Sequence, residues 1–183
     1  MRCLSLAAAL TARGARCTFA VPETGAAIIQ RFANAPVDIA GAEDFDGVLR
    51  IASHRPWAAA VLDSYRVSAD QEAALAHGAG MLAVIDDLAQ RRHSADILLD
   101  PGYGRTAADY ASTLRSDAQG LFGPKFALLR PEFARLATAP RDIAPEVRTV
   151  FVSFGLSDVA RRTRQKTAIA RLPRAKEAFP PLR

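Results

Sequence analysis

Short apolar segments alternate with helical segments along most of this chain, and this alternation limits the fold more than any other feature. Apolar runs of about five residues, such as 58–62 and 81–85, are separated by helical stretches of about ten residues. Strands joined by helices form βαβ units and a mostly parallel sheet. Because the runs are apolar throughout, helices should cover both faces of the sheet. The sequence therefore predicts an α/β fold with a Rossmann-like, doubly wound parallel sheet.

The order of the predicted elements is unusual at the start. The chain opens on a helix, whereas a doubly wound half opens on a strand that ends in the main ligand loop. We therefore expect the sheet to lack its first strand. Helices are predicted at 5–12, 23–33, 42–52, 68–77 and from 131, and strands at 17–21, 37–39, 58–62, 81–85, 97–99 and 147–154.

The charge distribution divides the chain into three parts. Residues 161–183 hold eight of the 24 Lys and Arg and one of the 19 Asp and Glu, a net charge of +7. The remaining 16 basic and 18 acidic side chains give −2, so the body has no basic face for a phosphate backbone. We predict an N-terminal domain at 1–140, a linker and one strand at 141–160, and a solvated or disordered basic tail at 161–183. A specific nucleic-acid partner is not expected.

The cysteine count and the apolar runs indicate the compartment. Cys3 and Cys17 are the only cysteines, which is typical of a reducing, cytoplasmic setting, and both are expected to be small core residues. No apolar run reaches the roughly 18 residues of a membrane span. We expect a cytoplasmic protein without a membrane span and without a cofactor.

Acidic side chains follow two of the predicted strands directly. Asp63 follows the strand at 58–62, and Asp86 and Asp87 follow the strand at 81–85. Ligands bind at this carboxyl edge in open α/β sheets, and Tyr65 could offer its hydroxyl there. The alternative is that the two Asp side chains cap the following segments and that Tyr65 packs on the sheet edge.

Three further patterns carry weaker signals. Asp86, Asp87, His93 and Asp96 match no strong metal-ligand spacing, so no metal is expected, and His93 should face solvent or pin its loop. Asp86 and Asp87 are a doubtful acid/base pair, because neighbours on an extended segment point opposite ways. The third pattern, Gly155, Ser157 and Asp158 after a buried strand, is a candidate phosphate loop.

Taken together, several of these segments occur in the order of one enzyme family. The matching segments are Met1 to Leu10, Asp63-Ser-Tyr65, Ile85-Asp-Asp-Leu88 with His93 and Asp96-Ile-Leu-Leu99, Gly123-Pro, Leu128-Leu-Arg-Pro-Glu-Phe133, and Phe151-Val-Ser-Phe-Gly-Leu-Ser-Asp158. In combination, over about residues 1–160, the chain resembles the UDP-sugar hydrolase of pseudaminic acid biosynthesis and its spore-coat-polysaccharide relatives.

The resemblance implies a two-domain GT-B fold and an inverting hydrolysis. In that family water displaces UDP from a diacetamido-trideoxy sugar. Asp63, Tyr65, Asp86 and Asp87 are the candidate substrate-binding residues, and Gly155, Ser157 and Asp158 are the candidate nucleotide-binding residues. The resemblance makes residues 141–160 the linker and first strand of a nucleotide-binding domain that this chain is expected to lack. Arg130 could equally be structural.

The chain also departs from the family pattern. The family's catalytic histidine lies in a Gly-x-Gly-His loop before the first helix, and none of the three histidines here matches it. Leu156 replaces a glycine of the phosphate loop, and Ser157 replaces a threonine. We therefore expect an inactive N-terminal fragment of such a hydrolase. The alternatives are a non-catalytic half of a split GT-B glycosyltransferase, with a partner chain carrying the nucleotide domain, or a glycosyltransferase fragment.

Overall fold

Parallel strands and helices alternate through the described part of the chain, as the sequence predicts. The structure, a computed structural model, describes residues 1–138, and Met1–Ala137 form one compact unit. The helices are α1 (Arg2–Thr11), α2 (Glu23–Phe32), α3 (Phe45–Ser53), α4 (Ala69–Ala76) and α5 (Pro131–Ala137). The strands are β1 (Thr18–Val21), β2 (Asp38–Gly41), β3 (Ala60–Leu62), β4 (Leu82–Ile85), β5 (Ile97–Asp100) and β6 (Gln119–Phe122).

The strands form two parallel sheets. β1 pairs with β2, and a second sheet has the order β3-β4-β5-β6. Each pair of neighbours is parallel, which confirms the predicted α/β class with parallel pairing. No pairing joins β1 to β3 in residues 1–138, so the described strands do not make one continuous sheet.

The core lies under the centre of the four-stranded sheet. Leu82 and Val84 of β4 are fully buried and pack with Leu75 of α4 and Ala95. Partly buried side chains of α3, including Val48 and Leu49, pack against this cluster. α3 and α4 therefore cover the face of β3 and β4 that carries Leu62, Leu82 and Val84.

Local sequence signals place the helices well. Ser68 caps α4 in a full capping box, because its side chain accepts from the Gln71 N–H while the Gln71 side chain accepts from the Ser68 N–H. Asp44 caps α3 by accepting from the Gly47 N–H. Gly14, just after α1, has φ of +87°, the left-handed conformation that suits glycine after a helix.

Two elements differ from the expectation or fall outside the structure. β6 was not predicted, because its sequence Gln-Gly-Leu-Phe carries only two apolar side chains. The predicted strand at 147–154 and the residues Gly155, Ser157 and Asp158 lie outside the described residues. No helix in residues 1–138 is both long enough and apolar enough to cross a membrane.

Candidate functional site

The carboxyl edge of the four-stranded sheet gathers three of the four predicted substrate-binding residues. Leu62 of β3 is in register with Val84 of β4, so the two strands end at nearly the same level. Asp63 therefore emerges beside the Asp86-Asp87 pair. The parallel register thus assembles a site from residues that are more than 20 positions apart in sequence.

Arg2 joins the two exposed carboxylates of this edge. Its guanidinium donates two hydrogen bonds to Asp63, Nε to Oδ2 at 2.9 Å and Nη2 to Oδ1 at 2.7 Å. Its Nη1 donates to Asp87 Oδ2 at 3.0 Å. Arg2 lies in the first turn of α1, where the helix dipole disfavours a cation, and the two carboxylates offset that cost. We call Arg2, Asp63, Tyr65 and Asp87 the edge cluster.

Tyr65 completes the edge cluster from its exposed side. Its hydroxyl lies 2.8 Å from Asp87 Oδ1 and 3.0 Å from Oδ2, and donates to this carboxylate. Tyr65 is 55% exposed, so its ring and hydroxyl remain accessible to a ligand. The hydrogen bond to Asp87 raises the pKa of the Tyr65 hydroxyl, so it acts as a donor at neutral pH.

Burial and local hydrogen bonds set the pKa values of Asp63 and Cys3. Burial would raise the pKa of Asp63, but the hydrogen bonds from Arg2 and from Cys3 outweigh it, and the pKa lies below its ordinary value. The Cys3 thiol donates to Asp63 Oδ2 at 3.3 Å. Burial and the Asp63 charge raise the pKa of Cys3 to about 12, so this thiol is a poor nucleophile near neutral pH.

Asp86 turns away from the edge cluster, as alternation along an extended segment requires. It is 3% exposed, and its Oδ2 accepts from the Ala89 N–H at 2.8 Å. This is the capping role that the sequence left open as the alternative. The structure therefore brings Asp63, Tyr65 and Asp87 together and leaves Asp86 out.

Asp86 belongs instead to a buried polar cluster under the loop that follows β4. The Tyr110 hydroxyl lies 2.9 Å from Asp86 Oδ2 and 2.9 Å from Asp100 Oδ2. Asp100 also forms an ion pair with Arg105, whose Nε lies 2.9 Å from Oδ2. Tyr110 and Asp100 are almost fully buried. Burial, then the hydrogen bonds to Asp100 and Asp86, raise the pKa of Tyr110, which stays protonated. One phenol thus bridges two buried carboxylates.

The other half of the buried cluster centres on Glu72. This side chain is fully buried and accepts from Arg91 Nη1 at 2.7 Å and from the Ser94 N–H at 2.7 Å. His93 Nδ1 lies 3.1 Å from Glu72 Oε1, and its Nε2 lies 3.6 Å from Asp86 Oδ2. His93 is 3% exposed, so of its two expected roles it takes the one that pins its loop and does not face solvent.

Arg105 connects the buried cluster to the edge cluster. Its Nε binds Asp100, and its Nη2 donates to the Asp87 carbonyl oxygen at 2.8 Å. The position of Asp87 is therefore fixed on its backbone by Arg105 and on its side chain by Arg2 and Tyr65. Sequence reasoning missed Arg2 and Arg105, although the Gly102-Tyr-Gly104 turn after β5 places Arg105 at the correct edge.

The described residues do not suggest a metal centre. Within residues 1–138, no three His, Cys, Asp or Glu side chains are arranged to hold a metal ion. The carboxylates of the edge cluster bind Arg2 and Tyr65 instead. Comparison with models of known protein families and with curated protein sequences found no match to this chain.

Proposed function

We propose that this chain is the sugar-side, N-terminal half of a GT-B nucleotide-sugar hydrolase, and that its edge cluster binds the sugar of a UDP-diacetamido-trideoxyhexose. The observation that carries the proposal is the meeting of Asp63, Tyr65 and Asp87 at the carboxyl edge of a parallel sheet. That edge is where open α/β sheets bind their ligands. The ordered motifs quoted above support the choice of family.

The chemistry of the edge cluster suits a neutral, hydroxylated group. Two carboxylates and one guanidinium give it a net charge of −1, which disfavours a diphosphate. Carboxylate oxygens accept from hydroxyl and amide N–H groups, and the Arg2 guanidinium donates. The Tyr65 hydroxyl donates its one proton to Asp87, so its oxygen is left to accept from a ligand. The acetamido and hydroxyl groups of the sugar therefore match this cluster better than the UDP moiety does.

The same contacts favour binding over catalysis. A general base for water should have a pKa near the working pH and a free lone pair. Arg2 holds both carboxylates, and the pKa of Asp63 is lowered, so Asp63 is a weak base. His54 and His77 bond carbonyls of their own helices, and His93 is buried. We therefore expect sugar binding without release of UDP from this chain alone.

Calorimetric titration of the 183-residue chain tests the proposal. The sugar nucleotide should bind, and UDP alone should bind at least 10-fold more weakly. Asp87→Asn should weaken sugar-nucleotide binding by about 10- to 150-fold, since a hydrogen bond to a charged group contributes about 1.5–3 kcal/mol. Asp117→Asn is the matched control, because Asp117 also pairs with an arginine, Arg115, but lies before β6 at the opposite edge. Equal binding of UDP, or equal effects of both variants, would contradict the proposal.

The paired carboxylates also favour a second candidate, a non-catalytic half of a split GT-B glycosyltransferase. In that case a separate chain supplies the nucleotide-binding half, and the sugar-side half needs no base of its own. Product analysis distinguishes the candidates once the nucleotide-binding half is supplied with the sugar nucleotide and an acceptor sugar. Free sugar identifies a hydrolase, whereas a disaccharide identifies a transferase.

A further inference from the structure

The turn that follows β4 contains one residue in an unfavourable backbone conformation. Ala89 has φ of +55°, and it is the one residue other than glycine with a positive φ among residues 1–138. In this left-handed conformation the Cβ atom of an L-residue lies too close to the following carbonyl oxygen. Such a residue persists where the surrounding structure holds it, and strained residues concentrate at functional sites.

The buried carboxylate of Asp86 holds this turn. Its Oδ2 accepts from the Ala89 N–H at 2.8 Å. The same oxygen lies 2.9 Å from the Tyr110 hydroxyl and 3.6 Å from His93 Nε2. The Asp86 N–H donates to the Leu99 carbonyl at 3.0 Å, which ties the start of the turn to β5. Asp86 is therefore fixed on its main chain and on its side chain, and the strained residue is bonded to it.

Asp87 lies between Asp86 and the strained residue, so the shape of the turn decides where its carboxylate points. Its carbonyl accepts from Arg105 Nη2 at 2.8 Å, and its carboxylate accepts from Arg2 and from Tyr65. Within residues 1–138, no hydrogen bond joins Asp86 itself to Arg2 or to Tyr65. A change at Asp86 therefore reaches these partners through the main chain of the turn.

We propose that Asp86 is a positioning residue of the edge cluster. Its buried carboxylate holds the turn in the conformation that directs the Asp87 side chain toward Tyr65 and toward the ligand. This inference rests on the proposed function for the identity of the ligand, but the contact between Asp87 and Tyr65 is measurable without one. A cap that merely stabilises the fold would not control that contact.

The Tyr65 hydroxyl reports on the position of Asp87. Its hydrogen bond to the Asp87 carboxylate raises the pKa of the phenol, so loss of this contact should lower the pKa toward its ordinary value. Asp87→Asn removes the charged acceptor and defines the full decrease. Nuclear magnetic resonance of the Tyr65 ring measures this titration in the 183-residue chain.

Two substitutions at Ala89 test the turn without changing the buried cluster. Glycine suits a positive φ, whereas the β-branched valine strongly disfavours it. Ala89→Val should therefore lower the Tyr65 pKa by about half or more of the decrease seen in Asp87→Asn, and Ala89→Gly should leave it unchanged. Asp86→Ala should also lower the Tyr65 pKa. Adding Ala89→Gly to Asp86→Ala should raise it again, because glycine keeps the turn without help from the carboxylate.

Asp44→Ala is the matched control for Asp86→Ala. Asp44 also accepts from the N–H three residues ahead, that of Gly47 at 2.8 Å, but it caps α3. This control should leave the Tyr65 pKa unchanged. An unchanged pKa in Ala89→Val and in Asp86→Ala, or an equal decrease in Asp44→Ala, would overturn the proposal.

Two further measurements complete the test. In the unsubstituted chain, a strong nuclear Overhauser effect between the amide and α protons of Ala89 is expected for a positive φ, and its absence would overturn the proposal whether or not the variants fold. In calorimetry, Ala89→Val should weaken sugar-nucleotide binding at least about 5-fold, and Asp44→Ala should not. If the Tyr65 titrations behave as expected but the unsubstituted chain binds no sugar nucleotide, the positioning role of Asp86 holds and the proposed function fails.

Discussion

Removing the hydroxyl of Tyr110 should destabilise the protein by about 2–3 kcal/mol. Tyr110→Phe keeps the ring, which stacks on Phe122 with centroids 5.2 Å apart, so packing changes little. The lost hydroxyl bridges Asp86 and Asp100 at 2.9 Å each. It carries one proton, and a hydrogen bond to a charged group contributes about 1.5–3 kcal/mol.

The remaining donors set the upper bound on this cost. Asp86 keeps the Ala89 N–H, and Asp100 keeps Arg105, so neither carboxylate is left without a partner. For this reason we expect a smaller loss of unfolding free energy than the roughly 3–5 kcal/mol lost when one member of a buried ion pair is removed.

Urea denaturation at pH 7 measures this loss of unfolding free energy, which should lower the urea concentration at the midpoint and leave the dependence of the free energy on urea unchanged. Tyr103→Phe is the control, because Tyr103 is 97% exposed. This substitution should change the free energy of unfolding by no more than about 0.5 kcal/mol. If Tyr110→Phe lowers the free energy of unfolding by less than about 0.5 kcal/mol, the buried phenol does not join the two carboxylates as described.

Three further predictions concern charge, acidity and helix capping. Although burial opposes it, the pKa values of Asp63, Glu72 and Asp86 are lowered, so the ionised forms of these side chains stabilise the fold. The urea concentration at the midpoint of unfolding should therefore stay nearly constant from pH 7 to 5, and it should decrease once the pH is below about 4. An unchanged midpoint at pH 3 would contradict this. In a Cys17→Ser variant, Cys3 should react with a thiol reagent at pH 8 at least 10-fold more slowly in the native protein than in urea. Equal rates in the two conditions would contradict the raised pKa of Cys3. Ser68→Ala should cost about 1 kcal/mol by urea denaturation, because it removes the cap of α4, and no loss would refute the capping role.

The regular elements could be predicted because their signals are local. The apolar runs before Asp63 and Asp86 identify β3 and β4, and Ser68 marks the start of α4. β6 could not be predicted, because its pairing with β5 is a tertiary interaction and its own four residues carry little pattern. The break between β1 and β3 in the described residues accords with the expectation of a missing first strand, which stays a prediction.

The candidate site was predictable only in outline. Parallel strands that end at one level place Asp63 and Asp87 together, and this follows from the predicted sheet. The partners do not follow from it, because Arg2 reaches the site through the packing of α1. Tyr110 reaches Asp86 from a short helical turn whose Thr106–Asp109 capping box marks a helix start but not where the tyrosine side chain packs. The burial of Asp86 depends on these long-range contacts.

The most direct test of the central claim is a nuclear magnetic resonance titration of the 15N-labelled chain with the UDP-diacetamido-trideoxy sugar. Sugar binding at the edge cluster predicts saturable shifts of the Asp63, Tyr65 and Asp87 amides, which should be absent with UDP alone. No shifts at millimolar sugar nucleotide, or shifts confined to residues away from the carboxyl edge of the four-stranded sheet, would contradict it.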